Sequence, residues 1–253
     1  MKLVVVVPTY NEAGNIDRLI NRIIPVLKKV KAWEWEILVV DDNSPDGTSS
    51  VVRELMKKRR GICLMVRNKK SGLGGAYFAG MERAFGKMGA ELVVIMDADL
   101  SHDPVCIPQF IKKIKGGADF VVGSRYIKGG SVAQGWAAHR KFLSVFGNRV
   151  TTLMLGNEFL SDWTSGFRAI KREVYKKVKN KITDFRGYTF NISFAYFACK
   201  GGFKAEEVPI KFVDRTEGKS KLGFEYLFQT PLFLLSARLG NIFNSIVKGK
   251  EKI

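Results

Sequence analysis

Short apolar runs alternate with segments of helical periodicity along the first half of the chain. The runs at residues 3–7, 36–40, 62–66, 92–96 and 119–123 predict five buried strands. Between them, apolar residues recur every three or four positions, which predicts a helix after each of the first four strands. Because strands covered on both faces are apolar throughout, the pattern predicts an α/β fold with a mostly parallel sheet flanked by helices.

The pattern is less regular beyond residue 130. It predicts a helix over residues 140–155, a polar turn at 161–166, a strand at 204–213 and a helix near the C-terminus. No linker, repeat or low-complexity segment divides the chain. We therefore expect one large domain over residues 1–222 and an amphipathic helical tail over residues 223–253.

Acidic residues follow three of the predicted strands. Glu12 comes after the first strand, Asp41 and Asp42 after the second, and Asp97 and Asp99 after the fourth. Right-handed crossovers place the carboxyl ends of parallel strands at one edge of a sheet, where ligands bind. The sequence therefore predicts an acidic ligand site at this edge.

The Asp97-Ala98-Asp99 segment is the strongest candidate for a metal site. Side chains alternate along an extended chain, so both carboxylates emerge on the same side. Two such oxygen ligands suit Mg²⁺ or Mn²⁺, with a diphosphate supplying further oxygens. The alternative role for Asp99 is to cap a local turn or the next helix. Two roles are also open for Asp41 and Asp42: hydrogen bonding to a nucleoside, or closing an Asx turn.

Charge separates the two parts of the chain. The net charge is +18, with 16 basic and 12 acidic residues up to residue 100 and 26 and 12 after it. Such an excess of positive charge favours binding of phosphate-bearing ligands, of a polyanion or of an anionic membrane surface. The alternative is that the basic residues only keep the protein surface solvated. Basic clusters surround Arg125, Arg140 and residues 215–221, and Arg and Lys both bind phosphate.

Other function classes are disfavoured by what the sequence lacks. Three distant cysteines, without a CxxC pair, argue against a disulfide framework or a structural zinc site. No uninterrupted apolar stretch of about 20 residues is present, which argues against a simple membrane span. The glycine-rich segment at residues 72–75 fails the dinucleotide pattern because Tyr77 stands at the third glycine position, and Gly218-Lys219-Ser220 lacks the leading glycine of a P-loop.

Seven segments, taken together and in order, resemble a known family. They are Pro8-Thr9-Tyr10-Asn11-Glu12, Asp41-Asp42-Asn43-Ser44-Pro45-Asp46-Gly47-Thr48, Lys70-Ser71-Gly72-Leu73-Gly74, Asp97-Ala98-Asp99-Leu100-Ser101-His102, Gly123-Ser124-Arg125-Tyr126, Thr164-Ser165-Gly166-Phe167-Arg168, and Val213-Asp214-Arg215 with Lys219-Ser220-Lys221-Leu222. Over nearly its whole length the chain resembles the dolichol-phosphate mannose synthases, polyprenyl-phosphate members of the inverting glycosyltransferases with the GT-A fold.

The resemblance implies inverting transfer of mannose from GDP-mannose to a dolichyl or polyprenyl monophosphate, with Mg²⁺ or Mn²⁺. It assigns the guanosine to five residues: Pro8, Tyr10, Glu12, Val40 and Asp42. It assigns binding of the ribose, the diphosphate and the metal to Asp97, Ala98 and Asp99. Ser101 stands at the position where some members carry a Gln that binds the metal. It assigns the donor and acceptor phosphates to Arg125, Arg140, Arg215 and Lys221, with Asp99, Arg125 and Arg140 acting in catalysis.

The resemblance also gives the tail a role. The chain is similar to the short form of the family, without a transmembrane bundle after the catalytic domain. Apolar residues followed by Lys248, Lys250 and Lys252 predict an interfacial helix, and packing on the sheet or on a membrane-protein partner is the alternative. We accordingly expect a peripheral protein on the cytoplasmic face of a membrane.

Three other functions remain open from the residues alone. One is a polyprenyl-phosphate glycosyltransferase that uses UDP-glucose or another UDP-sugar, because spacing does not reveal base or sugar selectivity. Another is an inactive membrane-docking scaffold with the same fold. A nucleic-acid-binding module would explain the net charge, but its binding motifs are missing and the acidic edge does not suit a polyanion, so no nucleic acid is expected as a partner.

Overall fold

The computed structural model describes residues 1–68, 72–133, 135–156, 160–183, 185, 187–213 and 225–250, and side chains of the last helix over 228–240. Within these residues the chain forms seven strands: β1 (Lys2–Thr9), β2 (Glu34–Asp41), β3 (Ile62–Val66), β4 (Leu92–Ile95), β5 (Phe120–Ser124), β6 (Arg168–Lys171) and β7 (Ala205–Pro209). The same residues form eight α-helices: α1 (Ala13–Lys28), α2 (Thr48–Lys58), α3 (Gly72–Phe85), α4 (Ile107–Lys115), α5 (Ala138–Leu155), α6 (Arg172–Ile182), α7 (Gly187–Lys200) and α8 (Glu225–Lys250).

The strands form one sheet in the order β3-β2-β1-β4-β6-β5-β7. β6 pairs antiparallel with β4 and β5, while the other neighbours in the described sheet pair in parallel. β2 and β3 are added in turn on one side of β1, and β4 then pairs with β1 on its other side. The order therefore reverses between β1 and β4, which opens a crevice at the carboxyl ends of these two strands.

Helices cover both faces of the sheet, and β1 shows how the sequence encodes this. Val4 and Val6 point into the core formed with α3, α6 and α7, while Leu3, Val5 and Val7 point into the core formed with α1, α2 and α4. All five side chains are fully buried. The uninterrupted apolar run of β1 is therefore explained by burial on both faces.

Helix α3 lies very close to the sheet because of Gly80. A Cβ at this position would collide with Val6 Cγ1 and come within 3.0 Å of Val40 Cγ2. Only glycine leaves room for this approach. Tyr77, almost one turn earlier, is thereby buried against the sheet near the end of β4.

The predicted strands and the helix at residues 140–155 are confirmed to within a few residues. The strand predicted at 204–213 is shorter and ends at Pro209. Residues 168–200, where nothing regular was predicted, form β6, α6 and α7. α7 is buried almost continuously over residues 189–196, so its sequence shows little helical amphipathicity.

The predicted C-terminal helix corresponds to α8, which contains Pro231. Its inward side packs on α7, where Phe233 lies 5.7 Å from the Tyr196 ring and 6.0 Å from the Phe197 ring. Among the described residues, no helix combines the length and apolar character needed to cross a bilayer.

Candidate active site

A tight turn after β4 presents the two predicted metal carboxylates. We call residues 97–101 the acidic turn. Asp99 Oδ1 accepts hydrogen bonds from the Ser101 amide (3.1 Å) and from Ser101 Oγ (2.5 Å). Between them Leu100 has a φ of 64°, a left-handed conformation that branched residues rarely adopt. The turn therefore holds Asp99 in place at a cost in backbone strain, as is common in active sites.

Asp97 is held from the core side by Tyr77. The buried Tyr77 hydroxyl donates a hydrogen bond to Asp97 Oδ1, and the Asp97 amide donates to His102 Nδ1 at 3.0 Å. Burial, together with the neighbouring Asp97 and Asp99 charges, holds the pKa of Tyr77 well above its usual value. The hydroxyl thus stays protonated and remains a donor to the carboxylate.

The acidic turn offers hard oxygen ligands suited to Mg²⁺ or Mn²⁺. No group of three His, Cys, Asp or Glu side chains in the described ranges gathers into a ready-made metal cage. A cation bound to Asp97 and Asp99 would therefore complete its shell with water or with ligand oxygens. A nucleoside diphosphate supplies such oxygens, so these residues fit a metal carried together with a diphosphate.

The predicted nucleoside residues lie at the ends of β1 and β2. Pro8 is directly opposite Val40 in the sheet register, and Thr9 is opposite Asp41. Asp41 accepts hydrogen bonds from Thr9 Oγ1 (2.8 Å) and from the Ser44 amide (2.9 Å), so its carboxylate closes the turn. The Asx-turn role is confirmed for Asp41.

Asp42 has a different environment from Asp41. Arg67, at the end of β3, places Nη1 2.9 Å from Asp42 Oδ1, and both side chains are largely buried. A buried carboxylate is stabilised by such a cation. Any base that contacts Asp42 would also approach this guanidinium.

The loops after β1 and β2 are tied together by hydrogen bonds. The Glu12 amide donates to Thr48 Oγ1 (3.0 Å) and the Ala13 amide donates to Asp46 Oδ2 (2.9 Å). Burial would raise the pKa of Asp46, but hydrogen bonds from the Thr48 hydroxyl and from the Ala13 and Thr48 amides outweigh burial and hold the pKa below its usual value. Glu12 Oε2 in turn accepts from Asn15 Nδ2 at 2.9 Å. Tyr10 directly follows β1 and is half-buried. The predicted donor residues Pro8, Tyr10, Glu12, Val40 and Asp42 all lie at the paired ends of β1 and β2 or within three residues after them.

Arg125, just after β5, is bound to a buried carboxylate. Its Nε and Nη2 donate to the two oxygens of Asp162, both at 2.7 Å, and Nη2 also donates to Thr164 Oγ1 at 2.7 Å. Arg125 is only 8 % exposed and Asp162 is 0 % exposed. This two-point pair in a dry environment fixes the guanidinium.

The environment of the Asp162 carboxylate argues against a role as a general base. Burial would raise its pKa, but the Arg125 charge and hydrogen bonds outweigh burial and hold it below the usual value. Its amide donates to Glu207 Oε1 (3.0 Å), while the Ser165 amide donates to Asp162 Oδ1 (3.1 Å). Asp162 therefore closes a turn and holds Arg125.

Two aromatic rings connect Arg125 with Arg140. Arg125 Cζ lies 5.5 Å from the Phe212 ring centre, and Phe212 packs edge-on against Trp136 at 5.6 Å. Arg140, exposed on the first turn of α5, has its Cζ 4.0 Å above the Trp136 ring. We call these four residues the arginine–aromatic cluster. His102 reaches the same Phe212 ring at 5.9 Å, which links the cluster to the acidic turn.

Comparison with known proteins places the chain in a family. A sequence profile described as Glycosyl transferase family 2 matches residues 4–179. The chain belongs to glycosyl transferase family 2. The match covers the crevice between β1 and β4, the acidic turn and the Arg125–Asp162 pair.

Two curated family 2 relatives are similar over most of their length. The chain is 38% identical over 222 residues to the polyprenol monophosphomannose synthase of Mycolicibacterium smegmatis, covering 87% of this chain and 81% of that protein. It is 33% identical over 222 residues to the undecaprenyl-phosphate mannosyltransferase of Micrococcus luteus, covering 88% of each.

Solved structures confirm the GT-A fold. A mannosyltransferase from Pyrobaculum calidifontis in complex with GDP-Man and Mn²⁺ superimposes with a TM-score of 0.58 at 23% identity, over 86% of this chain and 58% of that one. Glucosyl-3-phosphoglycerate synthase from Mycobacterium tuberculosis, in complex with Mn²⁺ and UDP, gives 0.58 at 17% identity, over 94% and 79%. At these identities the likeness concerns the fold alone.

The structure places four further residues against predicted site residues, and the sequence did not single them out as functional. Tyr77, Arg67, Trp136 and Phe212 contact predicted site residues in the described part of the chain. Tyr77 carried a signal, because it is the residue that breaks the dinucleotide glycine pattern. Arg215 and Lys221, predicted to bind phosphate, lie outside the described residues.

Ala98 and Ser101, which the resemblance assigns to the donor and the metal, are both buried in the acidic turn. Ala98 is buried between the two carboxylates. Ser101 is fully buried, and its hydroxyl is directed at Asp99. Direct ligation of a metal by Ser101 stays a prediction.

Proposed function

We propose that this chain transfers mannose from GDP-mannose to a dolichyl or polyprenyl monophosphate, with inversion and with a divalent cation. The acidic turn, held by Tyr77 at the crevice between β1 and β4, is the observation that carries the proposal. The names of the two curated relatives support the acceptor class and the sugar. Membership of glycosyl transferase family 2 supports the reaction class, which is glycosyl transfer.

The donor lies along the carboxyl ends of β1, β2 and β4 in this proposal. Pro8, Val40 and Asp42 contact the base, and Tyr10 and Glu12 border it. Asp97, Ala98 and Asp99 face the ribose and the diphosphate. When bound at Asp97 and Asp99, Mg²⁺ or Mn²⁺ supplies Lewis-acid stabilisation of the departing diphosphate.

The acceptor phosphate needs little help from a base. Its second pKa is about 6, so at neutral pH it is largely a dianion. One of its oxygens attacks the anomeric carbon of mannose from the face opposite the diphosphate, a new C–O bond forms, and GDP leaves with the electrons of the old one. The low pKa of Asp162 is consistent with a mechanism that lacks a general base on this residue.

Arg140 is the residue we assign to direct contact with the acceptor phosphate. It is exposed and carries a guanidinium positioned on Trp136, whereas Arg125 is largely buried and paired with Asp162. Arg125 then completes the positive side of the site and fixes the Asp162 loop. Arg215 and Lys221 act on the donor phosphates in the same proposal.

The proposal includes a location. A lipid-borne acceptor is reached from the membrane surface, so we infer a peripheral protein on the cytoplasmic face, with the tail at residues 223–253 at the interface. An interfacial helix with basic flanks is suited to an anionic bilayer.

A donor comparison tests the proposed function. The protein is incubated with a polyprenyl phosphate, Mg²⁺ or Mn²⁺, and either GDP-mannose or UDP-glucose, and the lipid product is identified by mass. A hexosyl-phosphate lipid formed only from GDP-mannose supports the proposal. Product only from UDP-glucose would replace the donor and keep the reaction class. No lipid product from either donor, with metal-dependent donor binding also absent, would favour the docking scaffold.

A further inference from the structure

Residues 162–167, which precede β6, contact both sides of the site. We call them the pre-β6 turn. On the acceptor side, Asp162 and Thr164 accept hydrogen bonds from the Arg125 guanidinium, each at 2.7 Å. On the other side, the turn packs against the two side chains that hold Asp97. The turn therefore connects the guanidinium of one side with a proposed metal ligand of the other.

Gly166 in this turn lies directly against the Tyr77 hydroxyl. A Cβ built on Gly166 would lie 3.0 Å from the hydroxyl oxygen, closer than Cβ atoms usually approach a neighbour. The nearest carbons of the Tyr77 ring would lie 3.7 Å away, which is ordinary van der Waals contact. This hydroxyl is the group that donates to Asp97 Oδ1. The missing side chain of Gly166 thus leaves the space that the hydroxyl occupies.

The backbone of Gly166 does not itself require glycine. Among the described residues, those with a positive φ do not include Gly166, so its conformation is open to alanine. A glycine in an ordinary conformation costs more conformational entropy on folding than alanine does. The close approach to the Tyr77 hydroxyl is therefore the reason that the structure gives for glycine at this position.

The buried side chain of Arg168, at the start of β6, holds the turn in place. Its guanidinium donates to three backbone carbonyls, those of Trp163 (2.8 Å), Ser165 (2.8 Å) and Asn191 (2.7 Å). Burial lowers the pKa of Arg168 to about 10, so the side chain is still charged at neutral pH. Hydrogen bonds from a charged donor are stronger than those between neutral groups. The turn is therefore not free to move back from Tyr77.

A second contact of the same turn supports Asp97 from another direction. The Phe167 ring stacks on the His102 ring with their centres 5.1 Å apart, and His102 Nδ1 accepts from the Asp97 amide at 3.0 Å. Both rings are buried. Asp97 is thus held at its carboxylate by Tyr77 and at its backbone by His102, and the turn packs against both of these residues.

We propose that Gly166 is a positioning residue for Asp97. Because it has no side chain, the Tyr77 hydroxyl reaches Asp97 Oδ1 and fixes the orientation in which this carboxylate binds a divalent cation. Partners that orient a metal ligand change metal affinity by about 10–100-fold. The inference deepens the proposed function and rests on it for a metal at Asp97. It adds that the turn that holds Arg125 also sets the position of a metal ligand.

Mn²⁺ binding to the full chain in the presence of GDP tests this role. Electron paramagnetic resonance measures the free Mn²⁺ and needs no turnover. In Gly166→Ala the new Cβ pushes the Tyr77 hydroxyl away from Asp97, so we expect the Mn²⁺ affinity to fall about tenfold.

Gly201→Ala is the control matched for crowding. A Cβ on Gly201, just after α7, would lie 3.1 Å from a backbone carbonyl. Gly201 is followed by the start of β7, which pairs with the start of β5, whereas Arg125 follows the end of β5. The control lies away from the carboxyl ends of the strands, so its Mn²⁺ affinity should stay at the native value.

The decisive comparison repeats Gly166→Ala in a Tyr77→Phe background. Without the hydroxyl, the nearest ring carbons leave room for the Cβ, so Gly166→Ala should cause no further loss of Mn²⁺ affinity. Independent effects would multiply to about a hundredfold in the double variant. If both changes act through the one hydrogen bond, the double variant should lose about tenfold, as Tyr77→Phe does alone.

Two results would overturn the role of Gly166. One is native Mn²⁺ affinity in Gly166→Ala, and the other is an equal loss from Gly166→Ala with and without the Tyr77 hydroxyl. Urea unfolding of the native chain and the variants covers poor folding. If Gly166→Ala alone does not fold, recovery of folding in the double variant supports the contact, and a double variant that also fails to fold overturns it.

Failure of the proposed function would give a different pattern. The expected Mn²⁺ affinities without any mannosyl lipid product would remove the proposed function and keep the role of Gly166. A mannosyl lipid product together with either contrary result would keep the proposed function and remove the role of Gly166. A native chain that binds no Mn²⁺ with either GDP or UDP would overturn both.

Discussion

The two sides of the site are built in different ways. On the proposed donor side, the acidic turn and the loops after β1 and β2 follow regular strand–helix units, and the carboxylates of Asp41 and Asp99 are oriented by short-range turns. On the acceptor side, Arg125 is fixed by Asp162, which lies 37 residues away in sequence, and Arg140 is fixed by stacking on Trp136. Local turns thus orient Asp41 and Asp99, while a carboxylate far away in sequence fixes Arg125.

This difference has a physical reason. Short Asp and Ser side chains hydrogen-bond to nearby backbone amides, so a few residues are enough to orient a carboxylate. A guanidinium is long and flexible, and it is oriented only when a carboxylate or an aromatic ring is brought to it. The position of Arg125 therefore depends on the whole fold, whereas the turns that orient Asp41 and Asp99 depend on the sequence around each strand end.

The largest effect is expected from Asp99→Asn. Removing the charge of this proposed metal ligand should lower mannose transfer by about a thousandfold, because stabilisation of the leaving diphosphate is lost. Asp103→Asn is the matched control, since Asp103 lies in the same loop but caps the turn at Pro104–Cys106 and pairs with Arg22. Transfer rates and thermal unfolding of both variants check this. An active Asp99→Asn enzyme would contradict the role of the acidic turn.

Asp162→Asn should act on stability as well as on transfer. Breaking a buried ion pair on one side costs about 3–5 kcal/mol, because Arg125 is left buried without its counter-charge. Urea unfolding measures the loss. The double variant Arg125→Met with Asp162→Leu should regain much of the stability without regaining full transfer. Equal stability of Asp162→Asn and the native chain would show that the pair does not hold this side together.

The same pair predicts a dependence of stability on pH. The pKa of Asp162 in the folded protein lies below its value in the unfolded chain, which is about 3.9. The contribution of Asp162 is therefore complete above about pH 4 and is lost as the pH falls through the lower pKa of the folded state. Urea unfolding of native and Asp162→Asn protein at a series of acidic pH values should show the two free energies converging.

A smaller effect is expected from Tyr77→Phe. The variant keeps the ring in the core but removes the hydrogen bond to Asp97, and loss of a residue that orients a metal ligand weakens metal affinity by about tenfold or more. Mn²⁺ titration in the presence of GDP, followed by electron paramagnetic resonance, reports this affinity without turnover. Tyr175→Phe, which removes a hydrogen bond to Glu82 elsewhere on the same core, is the control. Unchanged Mn²⁺ affinity in Tyr77→Phe would reduce Tyr77 to a packing role.

The donor side could be predicted from the sequence because its signals are local. Apolar runs located β1 to β5, and the acidic residues directly after them fell at one edge, since parallel strands share their direction. The role of Asp41 in closing a turn could also be predicted from Ser44-Pro45-Asp46-Gly47. The hydrogen bond from Tyr77 to Asp97 could not be predicted, because it depends on how closely Gly80 lets α3 approach the sheet.

On the acceptor side, the sequence predicted which basic residues take part but not the contacts that hold them. Arg125 and Arg140 stood out as basic residues, but Asp162 and Phe212 lie far away from Arg125 in sequence, and Trp136, four residues before Arg140, was not singled out. The short β6 and the largely buried α7 also gave no periodic signal.

A two-substrate kinetic series on Arg140→Ala tests the division between donor and acceptor sides most directly. Hydrogen bonds to charged groups are worth about 1.5–3 kcal/mol, so the KM for polyprenyl phosphate should rise about tenfold or more. The KM for GDP-mannose should stay at the native value. A rise in the GDP-mannose KM, with the polyprenyl phosphate KM unchanged, would contradict the division.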